Sequence, residues 1–144
     1  MITDLETWLT ENEIVEAVAE HLKRSGWEIK QTSNTTQHGV DILAARGEFT
    51  LAIEAKGGGS SKPGSHRYGM PFDAKQKRTH VAVAVLAALG ELSRGQHRAA
   101  LAFPDDPRHL RLIEEIWPTL QKLGIDVYFV GPDKSVRLGM NRPS

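Results

Sequence analysis

The stretch GVDILAARGEFTLAIEAKGG, residues 39–58, constrains the fold of this chain more than any other. It contains two apolar runs, 40–45 and 49–55, joined through Arg46-Gly47-Glu48, a connection of hairpin length. Residues two apart in a strand share a face. Glu54 and Lys56 therefore project together with Thr50 and Ala52, while Leu51, Ile53 and Ala55 point the other way. Asp41 lies on the preceding strand, in reach of Glu54 if the register sets the two opposite or diagonal.

The flanking segments supply the rest of the sheet and its cover. Thr10 to Glu13 reads as a capping box, and Ile14, Val15, Val18, Ala19 and Leu22 form one stripe at helical spacing, predicting a helix over about 11–25 that stops at Gly26. Residues 27–33 alternate as a first strand ahead of the hairpin. Asp73 is the expected cap of a helix over 74–92, with Val81, Val85, Leu86 and Leu89 facing inward. A strand over 98–103 follows. Asp106-Pro107 opens a helix reaching Leu123, with a kink or break expected at Pro118, and 125–130 is the last strand. The tail from 132 to 144 reads as irregular.

The expected fold is a single α/β domain over 1–144 with an αβββαβ core. An antiparallel meander is extended by helix-linked strands into a mixed sheet flanked by helices, with a further helix and strand at the C-terminal end. There is no cysteine, which excludes disulfides and thiolate zinc sites. The first residues lack the order of a signal peptide, and no apolar run is long enough to span a bilayer, so a cytoplasmic protein without membrane association is expected. Net charge is zero, which argues against a strongly electrostatic nucleic-acid binder. The charge is nonetheless segregated: residues 55–80 hold six Lys and Arg against one acid, and the remainder twelve against seventeen. Within that basic stretch, 57–72 has no period and holds five Gly, two Pro and three Ser, a long loop of the kind that tends to be functional.

Two carboxylates as close as Asp41 and Glu54 would be repel unless a cation lies between them. With hard oxygen donors and no His pair at ligand spacing, that cation is magnesium or manganese rather than zinc. Such an ion polarises phosphoryl oxygens and activates water, and Lys56 would orient that water. The plain alternative is a Glu54–Lys56 salt bridge on a solvated sheet face.

Asp41 with Glu54-Ala55-Lys56, behind a helix and a Gly26-Trp27 strand and ahead of another helix, resembles the PD-(D/E)xK nuclease superfamily, the restriction-endonuclease-like fold. The nearest in look are the Mrr-type endonucleases and the archaeal Holliday-junction resolvases, over residues 11–90; Val40 stands where the motif's name puts Pro. The resemblance implies a Mg2+- or Mn2+-dependent deoxyribonuclease, an endonuclease before an exonuclease, serving repair, recombination or defence. Asp41, Glu54 and the main-chain carbonyl of Ala55 would hold the metal, and Lys56 would position the water. Some members add an acid from the first helix, for which Glu16 is the candidate; a solvated face explains it as well. Gln76 and His80 make a Gln-x-x-x-His spacing similar to a Gln-x-x-x-Tyr motif of related nucleases, although Gln76 equally completes a capping box with Asp73. Lys62, Arg67, Tyr68, Lys75 and His80 are the candidate substrate contacts. DNA is the expected partner, with a homodimer to cut two strands and a protein partner possible as the source of specificity. A lapsed nucleic-acid-binding module and a protein-interaction subunit on the same fold remain as alternatives.

Overall fold

The computed structural model describes residues 8–32, 40–59 and 70–139. In chain order the elements are α1 (Glu11–Arg24), β1 (Glu28–Thr32), β2 (Ile42–Arg46), β3 (Phe49–Ala55), α2 (Ala74–Arg94), β4 (Arg98–Pro104), α3 (Pro107–Leu123), β5 (Asp126–Val130) and β6 (Val136–Leu138). The six strands form one sheet in sequence order. β1, β2 and β3 pair antiparallel; β3–β4 and β4–β5 are parallel through the helical crossovers; β5–β6 is antiparallel. The architecture is mixed α/β.

Local chemistry accounts for the element ends. Thr10 accepts from the Glu13 N–H while Glu13 accepts from the Thr10 N–H, the reciprocal box that starts α1. Gly47 takes φ +61° in the first of two turn positions between Arg46 and Phe49, as a type II′ hairpin turn requires. That two-residue turn locks the β2–β3 register, since a slip of one residue would exchange the buried and exposed faces.

The core lies on both sides of the sheet. On one face Ile14, Val18 and Leu22 of α1 pack on Ile42, Ile53, Ala100, Ala102 and Tyr128. On the other, α2 and α3 bring Val81, Ala84, Ala88, Ile113 and Leu120 onto Leu101, Phe103, Val127 and Phe129. Strand β4 is buried at every position after Arg98, as suits a central strand covered twice. Among the described residues no helix is long and apolar enough to cross a membrane.

Three expectations are corrected. The α3 helix continues through Pro118 without a break, and Leu112, Ile113 and Leu120 on either side of it are buried against the sheet. Tertiary packing there outweighs the single hydrogen bond a proline removes. The segment after Gly131 is not wholly irregular: the Asp133 carboxylate accepts from the Ser135 N–H and hydroxyl, Lys134 takes φ +69°, and the turn returns β6 alongside β5. Finally, Leu86 is 72% exposed rather than inward; Val81 is buried as expected, together with Ala84 and Ala88, and Val85 and Leu89 pack partly against the core.

Candidate active site

The hairpin carries the site. Its paired register ends at Ile42–Ile53, and Asp41, one residue earlier, lies at the C-terminal end of β3, close enough for its charge to act on Glu54. The Asp41 N–H donates to the Ile53 carbonyl at 3.1 Å, and the Ala55 N–H donates to Asp41 Oδ2 at 2.8 Å. One carboxylate oxygen is thus fixed by the very strand that bears Glu54. Beyond it the Lys56 N–H continues the parallel ladder to the Ala102 carbonyl at 3.0 Å. Ile53 and Ala55 are fully buried, whereas Glu54 and Lys56 are half-buried, so the alternation expected for this strand holds.

Glu54 and Lys56 form no ion pair within 4.0 Å, with each other or with another described residue. The Lys56 charge is close enough to act on Glu54 but does not win. Burial first, then the charge of Asp41, push the Glu54 carboxyl up to about 7, against the pull of Lys56; Glu91 and Glu11 add to the rise. A carboxyl that half-buried and that crowded by other acids is a feature common at functional sites.

Glu11 belongs to this cluster, and Glu16 does not. Burial and the charge of Asp41 raise Glu11, opposed by Lys56. Glu16 is exposed and lines a separate groove with Glu20, Arg24 and Lys134. The physical cause is Gly57. A Cβ at that position would fall inside contact distance of the Glu11 nitrogen and 2.6 Å from the Thr10 carbonyl carbon, so only glycine lets the end of β3 lie against the first turn of α1. The Gly58 N–H donates to the Leu9 carbonyl at 2.7 Å and secures the contact. Glu11, at the first position of α1, is carried to the carboxylates; Glu16, more than a turn further on, is not.

Gln76 is committed to the capping box: it accepts from the Asp73 N–H at 2.9 Å while Asp73 accepts from the Gln76 N–H at 2.8 Å. His80, one turn later, packs edge-on to Phe72 at 4.3 Å between ring centres. Burial, then the charges of Lys56 and His109, hold its imidazole below the usual value. Lys75 is exposed on the first turn of α2. Lys62, Arg67 and Tyr68 lie outside the described residues.

A group that the sequence reading passed over stands behind His80. His109 is fully buried, stacked on Phe103, and its Nδ1 donates to Asp106 Oδ2 at 2.8 Å; Lys77 reaches the same oxygen at 3.3 Å. The His109 Nε2 has no hydrogen-bond partner among the described residues. Burial alone would raise Asp106, but the hydrogen bond and charge of His109, its backbone N–H and the charge of Lys77 bring it down to about 2. The sequence signal was present in Asp106-Pro107 with a His three residues after the cap, but it was legible only as a helix start.

Among the described residues no three His, Asp or Glu side chains form a ready-made cage for a metal. Asp41 and Glu54, with a nearby main-chain carbonyl, are hard oxygen donors of the kind that could hold a divalent cation retaining most of its waters. A thiolate or imidazole metal does not suit it.

No family model matches the chain, and no curated protein matches it. A solved structure of Pyrococcus furiosus SfsA in complex with Ca2+ is similar to it at 17% identity and a TM-score of 0.42, covering 82% of this chain and 53% of that one. The chain spans about half the length of that protein.

Proposed function

We propose that the protein is a Mg2+- or Mn2+-dependent phosphodiesterase with a restriction-endonuclease-like core of the PD-(D/E)xK type, hydrolysing DNA. The observation that carries this reading is Asp41, hydrogen-bonded to the end of β3 and acting on the half-buried Glu54, with Lys56 on the Glu54 face and in no ion pair with a carboxylate among the described residues. Asp41, Glu54 and the Ala55 carbonyl would hold the cation, which when bound would polarise a phosphoryl oxygen and acidify a water. Asp41 is oriented for this by the Ala55 N–H, which donates to its Oδ2 at 2.8 Å. The half-buried Glu54 is destabilised as an anion until a cation compensates it. Lys56 keeps a charged donor for the attacking water or the phosphate oxygens, and Glu11 adds a third acid from α1.

The experiment is a titration of Mg2+ and Mn2+ into wild type and Glu54→Ala, followed by heat, with plasmid and four-way-junction DNA assayed in parallel. Metal binding and strand cleavage, both lost in Glu54→Ala, are the expected result. DNA binding without cleavage would identify a lapsed binding module. No metal binding by wild type, even with DNA present, would overturn the hydrolytic reading.

A further inference from the structure

A polar cavity lies at the opposite end of the sheet from the carboxylates. It has a volume of about 530 Å3 and is lined by the first residues of β4 and β5, Arg98 and Asp126, with Arg46 at the end of β2 and Leu51 near the start of β3. Arg46, Leu51, Arg98, Asp126 and Tyr128 fall on the sheet face that α1 covers, in step with Ala44, Ile53, Ala100 and Val130 of that core. The helix stops at Arg24, however. Its last turn, with His21 and Leu22, forms one wall, and beyond it this end of the face stays open. The volume is that of a small-molecule site.

Its polar groups are held in place but not used by the fold. Arg46 lies on the Trp27 ring, 4.4 Å from the ring centre, and donates to the Ser25 carbonyl at 3.1 Å; Arg98 lies 4.1 Å from the centre of the Phe49 ring. Neither guanidinium pairs with a described carboxylate, so each is fixed flat with N–H groups to offer. Tyr128 is 5% exposed, yet its hydroxyl makes no hydrogen bond with another described residue, where a buried phenol ordinarily finds a partner. Burial, then the charge of Asp126, push that hydroxyl up to about 12 against the pull of Arg46, so it remains a donor. Burial, then Arg24, lower His21, which adds no charge at neutral pH. Two guanidiniums and a phenol against one carboxylate leave an excess of donors and of positive charge, which the oxygens of a phosphate dianion satisfy. The cavity is far larger than a bare phosphate; its leucines and the His21 ring suit an organic body, and Asp126 can accept from a hydroxyl. We propose that this cavity binds a phosphate monoester of a hydroxyl-bearing body, a nucleoside monophosphate or a sugar phosphate, with the phosphate on Arg46, Arg98 and the Tyr128 hydroxyl and the body held by Asp126. The inference does not depend on the hydrolytic reading, because none of these residues belongs to the carboxylate site.

The test is calorimetric titration of AMP and of ribose-5-phosphate into the full chain in chelator-treated buffer, with adenosine and inorganic phosphate as partial ligands. One equivalent of ester is expected to bind, about tenfold or more tighter than adenosine or phosphate. AMP ahead of ribose-5-phosphate assigns the nucleotide; equal binding assigns the sugar phosphate. Arg46→Gln and Arg98→Gln should each weaken binding about tenfold, and Tyr128→Phe several-fold at an unchanged melting temperature, since its hydroxyl bonds no described residue. Glu54→Ala should bind as wild type does, which separates this cavity from the carboxylates and leaves their reading untouched. No binding of either ester overturns the inference. So does adenosine matching AMP, inorganic phosphate matching both esters, or an affinity that is indifferent to the three cavity substitutions or lost in Glu54→Ala.

Discussion

Glu54→Gln should make the protein more stable while abolishing its chemistry. Glu54 has its carboxyl raised from 4.5 to about 7 by burial and by Asp41. A raised carboxyl in the folded state means that ionisation opposes folding. The penalty is absent below the unfolded value near 4.5, grows as pH rises, and is complete above about 7. The full shift would correspond to roughly 3 kcal/mol, and because Glu54 is only half-buried, solvent screening reduces this to about 1–2 kcal/mol. Glutamine keeps the shape and removes the charge. In chelator-treated buffer at pH 8 the variant should therefore melt about 3–8 °C above wild type, and the difference should vanish near pH 4.5. Added Mg2+ or Mn2+ should stabilise wild type by mass action and leave the variant unmoved. Differential scanning calorimetry across that pH range reads all three quantities. A variant equal to or less stable than wild type at pH 8 would refute the reasoning, because Glu54 would then be well compensated and not held under electrostatic strain.

Other consequences can be measured in the same way. Gly57→Ala places a methyl group into the backbone of Thr10 and Glu11, and overpacking of that kind should destabilise by about 1–3 kcal/mol in urea melts, with loss of metal-induced stabilisation. Glu11→Gln should weaken Mg2+-induced stabilisation several-fold in thermal shift, and Glu16→Gln should leave it unchanged. Asp106, depressed to about 2, contributes stability that is present above its ordinary 3.8 and is lost as pH falls through the window between the two; Asp106→Ala should cost about 1–2 kcal/mol at neutral pH, from cap and hydrogen bond together, and should flatten the acid limb of the stability curve.

The hairpin and its carboxylate pair were legible in the sequence because they are local. A glycine turn of fixed length sets the register, and the register carries Asp41 to the end of β3, where its charge reaches Glu54. Gln76 was also settled locally, by a capping box written within four residues. Glu16 could not be told from Glu11 in that way. A helical wheel ranks positions around the axis, but which end of α1 meets the sheet is decided by Gly57, far along the chain. Leu86 was placed inside for a related reason: a helix that is apolar on every side has no period to read, and the close approach that favours Ala84 and Ala88 is a property of the packed layers. Strand β6 is three residues long, too short to alternate visibly, and exists because β5 offers it an edge. The His109–Asp106 pair lay hidden within an ordinary helix start.

The contact of Gly57 with Thr10 and Glu11 also orders events in time. The hairpin can form early from neighbouring residues, but the third acid arrives only when α1, distant in sequence, docks on the end of β3. Crowding of like charges is thereby tied to the docking of α1, the same event that closes one face of the core. If that docking follows the folding transition state, substitutions at Glu11 or Gly57 should register in the unfolding rate and hardly at all in the folding rate.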